Sequence, residues 1–270
     1  MSAEPDYAAI GRIFSLAGRT ALVTGGSVSM GRAVALALAT AGADIAIQSA
    51  AKSDAAVGSP DAAAETRVAI AALGRRCVTI EADFAIQGEA RRTVTDARAA
   101  LGHIDILVIA ASVQQREALA DITDAELHRQ FAINFAATIE LVQAAVPPMA
   151  EKGWGRVLSF GSINETRPDH TLGIYAALKS AQHNLIINLA REYAGRGVLL
   201  NTLAPGLVAT ERNRWRRQDA AEWEQIQHRA NPMHRAGRPD EMVGAALLFC
   251  SDAGSFITGA NLQATGGGHL

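Results

Sequence analysis

The sequence predicts a single-domain α/β fold: a doubly wound parallel sheet of about seven strands with helices on both faces. Short apolar segments typical of buried strands alternate along the chain with longer segments that have the periodicity of helices. The connections are short, and no Pro-, Gly- or Ser-rich linker divides the 270 residues. With 49% hydrophobic and 19% charged residues, the chain can bury one large core.

The elements follow from their residue types, in chain order. The first strand is a short apolar run ahead of a glycine turn, and the first two helices end at Gly42 and Gly74. The fourth strand is apolar throughout, as in strands buried on both faces. The predicted strands are residues 19–23, 44–48, 77–81, 104–109, 156–160, 198–203 and 261–264. The predicted helices are residues 32–41, 62–73, 88–101, 124–146, 174–194 and 240–251.

Residues 208–233 interrupt the alternation, because this segment is polar and carries Trp215 and Trp223. A connection of that length in a compact domain is usually functional. We therefore expect a partly helical substrate lid, the alternative being a surface excursion without a role in binding. Residues 1–14 are expected to form a polar leader ahead of a domain at 15–270.

Composition excludes several classes of partner. Net charge is −2, and no Lys/Arg run is long enough to mark a nucleic-acid surface. No stretch approaches the ~18 uninterrupted apolar residues of a membrane span. Cys77 and Cys250 lie in apolar segments without the spacing of a metal site, which favours core packing in a reduced compartment. We expect a soluble, cytoplasmic protein without a metal, nucleic-acid or membrane partner.

A glycine-rich turn, TGGSVSMG, lies between the first strand and the first helix. In that place backbone N–H groups and the helix N-terminus can hold a pyrophosphate, as in a Rossmann-type fold, although an ordinary tight turn has the same composition. Gly25 and Gly31 take the outer positions of a Gly-x-x-x-Gly-x-Gly spacing, and Ser29 takes the middle one. No carboxylate follows the second strand, whereas Ser49 and Lys52 could accept a 2′-phosphate, so NADP is favoured over NAD. Lys52 could equally be a solvated loop lysine.

Tyr175 and Lys179 share a face of a predicted helix, with Ser162 thirteen residues upstream and Asn134 earlier in the chain. Our hypothesis is that the adjacent positive charge favours the phenolate of Tyr175, which would suit a proton shuttle acting on an alcohol or a carbonyl. An ordinary amphipathic helix face is the alternative for the Tyr–Lys pair alone.

In this order, the glycine turn, Asn134, Ser162, Tyr175 and Lys179 resemble the short-chain dehydrogenase/reductase family from about residue 15 to residue 267. Pro205-Gly206 after the sixth strand and the segments PMHRAGRPDEM and SDAGSFITGANLQATGG are similar to that family as well. The resemblance implies an NAD(P)-dependent oxidoreductase that interconverts a secondary alcohol and a ketone by hydride transfer.

The resemblance also implies a role for each site residue. Tyr175 would exchange a proton with the substrate oxygen, Lys179 would bind the nicotinamide ribose, and Ser162 would polarise the reacting oxygen. Asn134 would hold a water that links the lysine to solvent, and Asp83 would contact adenine. The cofactor residues predicted in this way are Gly25, Ser27, Ser29, Met30, Gly31, Ser49, Lys52, Asp83, Phe84, Ala110, Ala111, Tyr175, Lys179, Pro205, Gly206, Val208 and Thr210.

The chain departs from the family in several places. Residues 109–112 read Ile-Ala-Ala-Ser where the family has Asn-Asn-Ala-Gly, Leu178 replaces a serine, and Thr265 replaces the aspartate of the final Asp-Gly-Gly. The departure at residues 109–112 and Ser29 motivate a rival hypothesis, a catalytically impaired binding or regulatory subunit. Retention of all four catalytic positions weighs against it. A dehydratase or an epimerase on the same scaffold is a third possibility.

The expected rim of the substrate pocket is polar. Its members are Gln114, Gln115, Arg116, Asn164, Glu165, Arg167, His170, Arg212, Arg214, Arg216 and Arg217, of which Gln114, Asn164, Arg167 and Arg212 are the predicted substrate-binding residues. Such a rim favours a sugar, a polyol or a sugar acid, and SINETRP is similar to family members that act on sugar acids. The lid arginines could instead form a solvated helix face. The resemblance further implies a homo-oligomer, commonly a tetramer, joined through the helices at 124–146 and 174–194.

Overall fold

A computed structural model of the protein describes residues 7–270. Within that range, seven parallel strands form one sheet in the order β3-β2-β1-β4-β5-β6-β7. The strands are β1 (Thr20–Thr24), β2 (Asp44–Ser49), β3 (Cys77–Glu81), β4 (Ile106–Ile109), β5 (Gly155–Phe160), β6 (Val198–Pro205) and β7 (Asn261–Ala264). The predicted fold class is confirmed, and the bounds of β3 and β7 are those predicted.

Apart from α2, the helices overlap segments predicted to be helical or partly helical, and the predicted helix at 124–146 is divided into α5, a π-helical segment and α6. They are α1 (Ser29–Thr40), α2 (Ala51–Ala56), α3 (Ala62–Ala72), α4 (Glu89–Leu101), α5 (Asp124–Phe131), α6 (Ala137–Lys152), α7 (Gly173–Tyr193), α8 (Ala220–Ala230) and α9 (Val243–Cys250). A π-helical segment, Ala132–Ala136, joins α5 to α6. The predicted end at residue 146 is too early, because α6 continues through Pro147 and Pro148 while Met149 packs in the core.

Alternate side chains of the same strand enter two separate cores, one on each face of the sheet. Leu22 of β1 packs in the core that α4, α6 and α7 cover. Its neighbours Ala21 and Val23 pack in the core that α1, α3 and α9 cover. A strand buried on both faces must be apolar at every position, which explains the continuous hydrophobic runs of the sequence.

The topology fixes where a ligand can bind. β1 lies between β2 and β4, so the chain leaves β1 toward one half of the sheet and later returns to the other half. A crevice opens outside the carboxyl ends of the strands at such a switch point. The glycine turn after β1 and the loop after β4 both lie there.

Two segments were not anticipated. Tyr7–Phe14, inside the predicted leader, forms a 3-10 helix, while residues 1–6 of that leader lie outside the described range. The short helix α2 was also missed, because its sequence, AKSDAA, has no apolar periodicity. Along residues 7–270, no helix is long and apolar enough to cross a membrane.

Candidate active site

A cavity of about 880 Å³ lies at the carboxyl edge of the sheet. It brings together nearly all of the residues singled out in the sequence. Of the predicted cofactor residues, only Ser49 and Lys52 do not line it. Ser162 lines it, as do the four predicted substrate-binding residues. Asn134 lies behind the wall and is fully buried.

The glycine turn forms a cradle that larger side chains would fill. Gly25 has a φ of +61°, in the left-handed region. A Cβ on Gly31 would lie 2.1 Å from the carbonyl oxygen of Gly25, a backbone atom. The first turn of α1 therefore closes directly onto the loop, with its free N–H groups at the cavity. This arrangement fits the phosphates of a dinucleotide.

Ser29, the departure from the glycine pattern, takes a left-handed backbone with a φ of 52°. Its hydroxyl donates a hydrogen bond to the carboxylate of Glu211, the first residue of the 3-10 helix Glu211–Arg217. The next residue, Arg212, donates from Nη2 to the carbonyl oxygen of Ser112 at 2.7 Å, after β4. Consecutive residues of the predicted lid are thus bonded to opposite sides of the cleft.

Two cavity residues near the end of β2 were assigned no role in the sequence. Gln48 accepts from the N–H of Gly25 at 2.9 Å and donates to the carbonyl of Ala82 at 2.8 Å, so it ties the glycine turn to the end of β3. Asp54, on α2, is buried and accepts from the Ser27 hydroxyl at 3.0 Å. Burial raises the pKa of Asp54, and the bond from Ser27 partly offsets this. Asp54 escaped notice because α2 itself has no clear sequence signal.

The loop after β4 is held without the family's asparagines. The hydroxyl of Thr24 accepts from the N–H groups of Ala110 and Ala111 at 3.0 and 3.1 Å. Asn134, on the π-helical segment, accepts from the N–H of Val113 at 3.0 Å and donates to its carbonyl at 2.9 Å. Both polar atoms of the Asn134 side chain therefore fix the loop, and the water-holding role implied by the resemblance stays a prediction.

Ser162, Tyr175 and Lys179 converge at the floor of the cavity. Tyr175 and Lys179 lie on the buried face of α7, and Ser162, which follows β5, lines the same cavity. The Ser162 hydroxyl donates a hydrogen bond to Oδ1 of Asn164 at 3.2 Å. The Nζ atom of Lys179 donates to the carbonyl of Phe160 at 2.7 Å and to Oε1 of Gln182 at 3.0 Å. The lysine thus has no carboxylate partner within hydrogen-bonding distance in the described residues.

The electrostatics differ from the hypothesis drawn from the sequence. Burial raises the pKa of the Tyr175 phenol, while Arg212 and Ser162 lower it in part. The Nζ atom of Lys179 lies 5.9 Å from the centre of the Tyr175 ring. Burial and then Arg212 lower the pKa of Lys179 itself to about 7. Burial, which the sequence could not show, thus moves the pKa of Tyr175 against the expected direction, and the effect of the Lys179 charge on the phenol stays a prediction.

The rim is polar, as expected, although some of its residues form hydrogen bonds with other parts of the protein. Asn164 donates its N–H to the Ser162 hydroxyl at 3.1 Å. Arg167 donates to the carbonyl oxygens of Gly268 and Ala230 at 2.6 and 3.1 Å. Of the other rim residues, Gln115, Arg116 and Arg216 line the cavity, whereas Glu165, His170, Arg214 and Arg217 do not. Asp169, Arg129, Arg229 and Trp215 line it in addition.

Comparison with known proteins agrees with this site. Residues 25–269 match the family model described as enoyl-(acyl carrier protein) reductase. An L-rhamnose 1-dehydrogenase (NAD(P)(+)) of Sphingomonas is 31% identical over 93% of this chain and 96% of its own length. A 2-dehydro-3-deoxy-D-gluconate 5-dehydrogenase of Pseudoalteromonas atlantica is 33% identical over 94% of this chain and 97% of its own.

Solved structures give the same result. A 3-oxoacyl (acyl-carrier-protein) reductase of Agrobacterium tumefaciens with NADP bound is 43% identical, with a TM-score of 0.91 over 98% of this chain and all of that one. A gluconate 5-dehydrogenase of Burkholderia cenocepacia in complex with NADP and tartrate is 30% identical, with a TM-score of 0.85 over 95% and 97% of the two chains.

The chain therefore belongs to the short-chain dehydrogenase/reductase family. It is an NAD(P)-dependent oxidoreductase that acts on CH–OH groups. Relatives named as sugar and sugar-acid dehydrogenases, together with neighbours that bind NADP, indicate a polar substrate.

Proposed function

We propose that the protein interconverts a secondary alcohol and a ketone on a small, hydroxylated or anionic molecule, with a sugar, a polyol or a sugar acid favoured and NADP as the favoured cofactor. The observation that carries this proposal is the convergence of Ser162, Tyr175 and buried Lys179 under a rim that includes Gln114, Asn164 and Arg212. A hydroxylated substrate can exchange hydrogen bonds with such a rim, whereas an aliphatic chain would leave these groups unpaired.

The proposed mechanism divides the work between proton and hydride transfer. A nicotinamide cofactor held by the glycine turn, Lys179 and Pro205-Gly206 would supply or accept the hydride at the substrate carbon. Tyr175 gives a proton to the substrate oxygen during reduction, or takes one from it during oxidation. Ser162, which lines the same cavity as Tyr175, would donate a hydrogen bond to the same oxygen as negative charge develops there.

Protonation states bear on the direction of the reaction. Because burial raises the pKa of the Tyr175 phenol, the residue is protonated near neutral pH and can act as an acid at once. To act as a base it must first lose that proton. We therefore expect reduction of the ketone to be fast near neutral pH, and oxidation of the alcohol to accelerate as the pH rises.

The lid would close the site from above. Residues 208–233 contain the 3-10 helix Glu211–Arg217 and α8, and Trp215 and Arg216 of this segment line the cavity. Their place in the same cavity as Ser162 and Tyr175 supports a role in substrate binding. Of the two tryptophans noted in the sequence, Trp223 does not line the cavity.

A substrate panel tests the proposal. Sugars, polyols, sugar acids and keto acids would be offered with each nucleotide, and nucleotide absorbance followed for the parent, Tyr175→Phe and Tyr193→Phe. Tyr193→Phe is the matched control, because this residue lies near the end of the same helix and outside the cavity. We expect turnover by the parent and the control, and at least a ~10²-fold loss in Tyr175→Phe. Equal rates in the two variants would contradict the assignment of Tyr175.

Reduction of a 3-oxoacyl thioester is a second candidate, supported by the name of the 43% identical structure. The two candidate functions differ in the part of the substrate that must lie along the rim, which is an acyl chain in the second. If a 3-oxoacyl thioester is reduced with a kcat/KM above that of every sugar or polyol, the second candidate replaces the first.

Assembly and location are also part of the proposal. Leu127, Phe131 and Ile187 are exposed apolar residues on α5 and α7, the helices expected to join subunits. They support a homo-oligomer, a tetramer by family resemblance, and light scattering at the mass of one chain would contradict it. The two free cysteines, Cys77 and Cys250, support a cytoplasmic location.

A further inference from the structure

Positive charge is distributed unevenly along the cavity. The arginines that line it come from the loops after β4 and β5, from α5 and from the lid, and they are Arg116, Arg129, Arg167, Arg212, Arg216 and Arg229. The glycine turn, β2, α2 and the loop after β3 bring no arginine or lysine of the described range to the wall, but two carboxylates, Asp54 and Asp83. The cationic side chains therefore belong to the half of the cavity that also carries Ser162.

Four of these arginines are bonded to the protein itself. Arg167 and Arg212 donate to backbone carbonyl oxygens, and Arg129 donates to a carboxylate of its own helix at 3.3 Å. Arg116 donates from Nη1 to Oδ2 of Asp169 at 2.8 Å. These four guanidinium groups are thus held in place, and the charge of Arg116 is offset in part by its carboxylate partner.

Arg216, in the 3-10 helix of the lid, differs from these four. It is half-buried, and no hydrogen bond or ion pair in the described range involves it. Burial and then the charge of Arg116 lower the pKa of Arg216, while Asp169 and Glu222 raise it in part. Arg229, which also has no partner among the described residues, is exposed to solvent. A guanidinium that is partly removed from water beside another cation costs free energy unless an anion pairs with it.

We propose that the substrate carries a carboxylate or a phosphate group, and that Arg216 binds this anion with Arg116 as the second cation of the subsite. The proposal rests on the proposed function, because it names the substrate class of the same site. A planar guanidinium can donate two parallel hydrogen bonds to either anion. The phosphates of the nucleotide are expected at the glycine turn, in the other half of the cavity, so they do not supply this anion.

Three related polyols test the proposal by binding alone. D-glucitol is the neutral reference, D-gluconate carries a carboxylate at one end, and D-glucitol 6-phosphate carries a phosphate at the other. Each would be titrated by calorimetry into the protein saturated with NADPH, because an alcohol and a reduced nucleotide cannot react. At pH 8.5 Lys179, with a pKa of about 7, is mostly neutral and contributes little to any preference for anions. We expect the parent to bind at least one of the anions about tenfold or more tightly than glucitol.

Substitution of Arg216 decides whether this residue carries the preference. Arg216→Gln should remove most of the preference, and Arg216→Lys should retain part of it, because a lysine keeps the charge but not the two parallel bonds. Arg214→Gln is the matched control, since it removes the same charge from an exposed position of the same helix outside the cavity. The control should keep the parental preference, and the affinity for glucitol should be the same in all four proteins.

Several results would overturn the inference. One is a parent that prefers neither anion, and another is a preference of equal size in Arg216→Gln and Arg214→Gln. A loss of affinity in Arg216→Gln that is equal for the anion and for glucitol would do the same, because it would reflect the structure of the lid and not a bond to the anion.

Binding and turnover separate this inference from the proposed function. A parent that binds an anion through Arg216, yet turns over no member of the substrate panel with either nucleotide, would refute the proposed function and leave the anion subsite in place. A parent that turns over neutral polyols and binds neither anion more tightly than glucitol would overturn the anion subsite alone.

Discussion

Gly31→Ala offers the sharpest test of the site geometry. The added Cβ would lie 2.1 Å from the carbonyl oxygen and 2.8 Å from the carbonyl carbon of Gly25. Both are backbone atoms of the turn that carries the expected phosphate contacts, so neither can rotate away as a flexible side chain would. Helix α1 must move away from the turn, and the N–H groups at its first turn move with it.

The expected loss of stability can be estimated. Alanine in place of a helical glycine gains about 0.5–1 kcal/mol, whereas overpacking costs about 1–3 kcal/mol, or more against rigid backbone. We expect a net loss of about 2 kcal/mol, which lowers Tm by about 4–8 °C for a domain of this size. Nucleotide affinity should fall as well, because the phosphate cradle is displaced.

Gly244→Ala is the matched control. Gly244 lies in the first turn of α9, is exposed, and has no atom within 4 Å of an added Cβ. The same substitution should raise Tm there by about 1–4 °C. Thermal unfolding and NADPH titration of both variants provide the comparison. If Gly31→Ala were as stable as Gly244→Ala and bound nucleotide like the parent, the close packing inferred for the turn would be refuted.

Three further predictions concern Lys179 in the cavity and two residues bonded to its wall, Thr24 and Glu211. Thr24→Val leaves two backbone N–H donors after β4 without their acceptor, so the free energy of unfolding should fall by about 2 kcal/mol or more. Denaturant unfolding measures the change, and exposed Thr40→Val, the control, should have a small effect. The pKa of Lys179 is about 7 in the folded protein, below its value in the unfolded chain, so the unfolded state binds more protons between pH 7 and about pH 10. The free energy of unfolding of the parent, minus that of Lys179→Met, should therefore rise with pH across that window. A difference that does not change with pH would contradict the burial of the amine. Glu211→Gln removes a carboxylate that is bonded to Ser29 beside the glycine turn. The affinity for NADPH should rise by up to about fivefold at low salt and by less at high salt. Unchanged affinity at both salt concentrations would place that charge away from the phosphates.

Local signals in the sequence were sufficient for the fold. Continuous apolar runs marked strands buried on both faces, and the glycine turn marked the link between β1 and α1. Where local signals were weak, sequence reasoning failed: α2 has no apolar periodicity, so Asp54 could not be placed at the cavity. Ser49 ends β2 and Lys52 lies in α2, yet the structure brings neither of them to the cavity wall.

The sequence by itself determined the parallel sheet, the order of its elements and the presence of Ser162, Tyr175 and Lys179 near one edge, because periodicity and motif spacing are local properties of the chain. Only the tertiary structure decided the charge environment of these groups. Burial raises the pKa of Tyr175 and lowers that of Lys179 to about 7. Desolvation and Coulomb interactions depend on three-dimensional distance and burial, and residues far apart in the chain supply them.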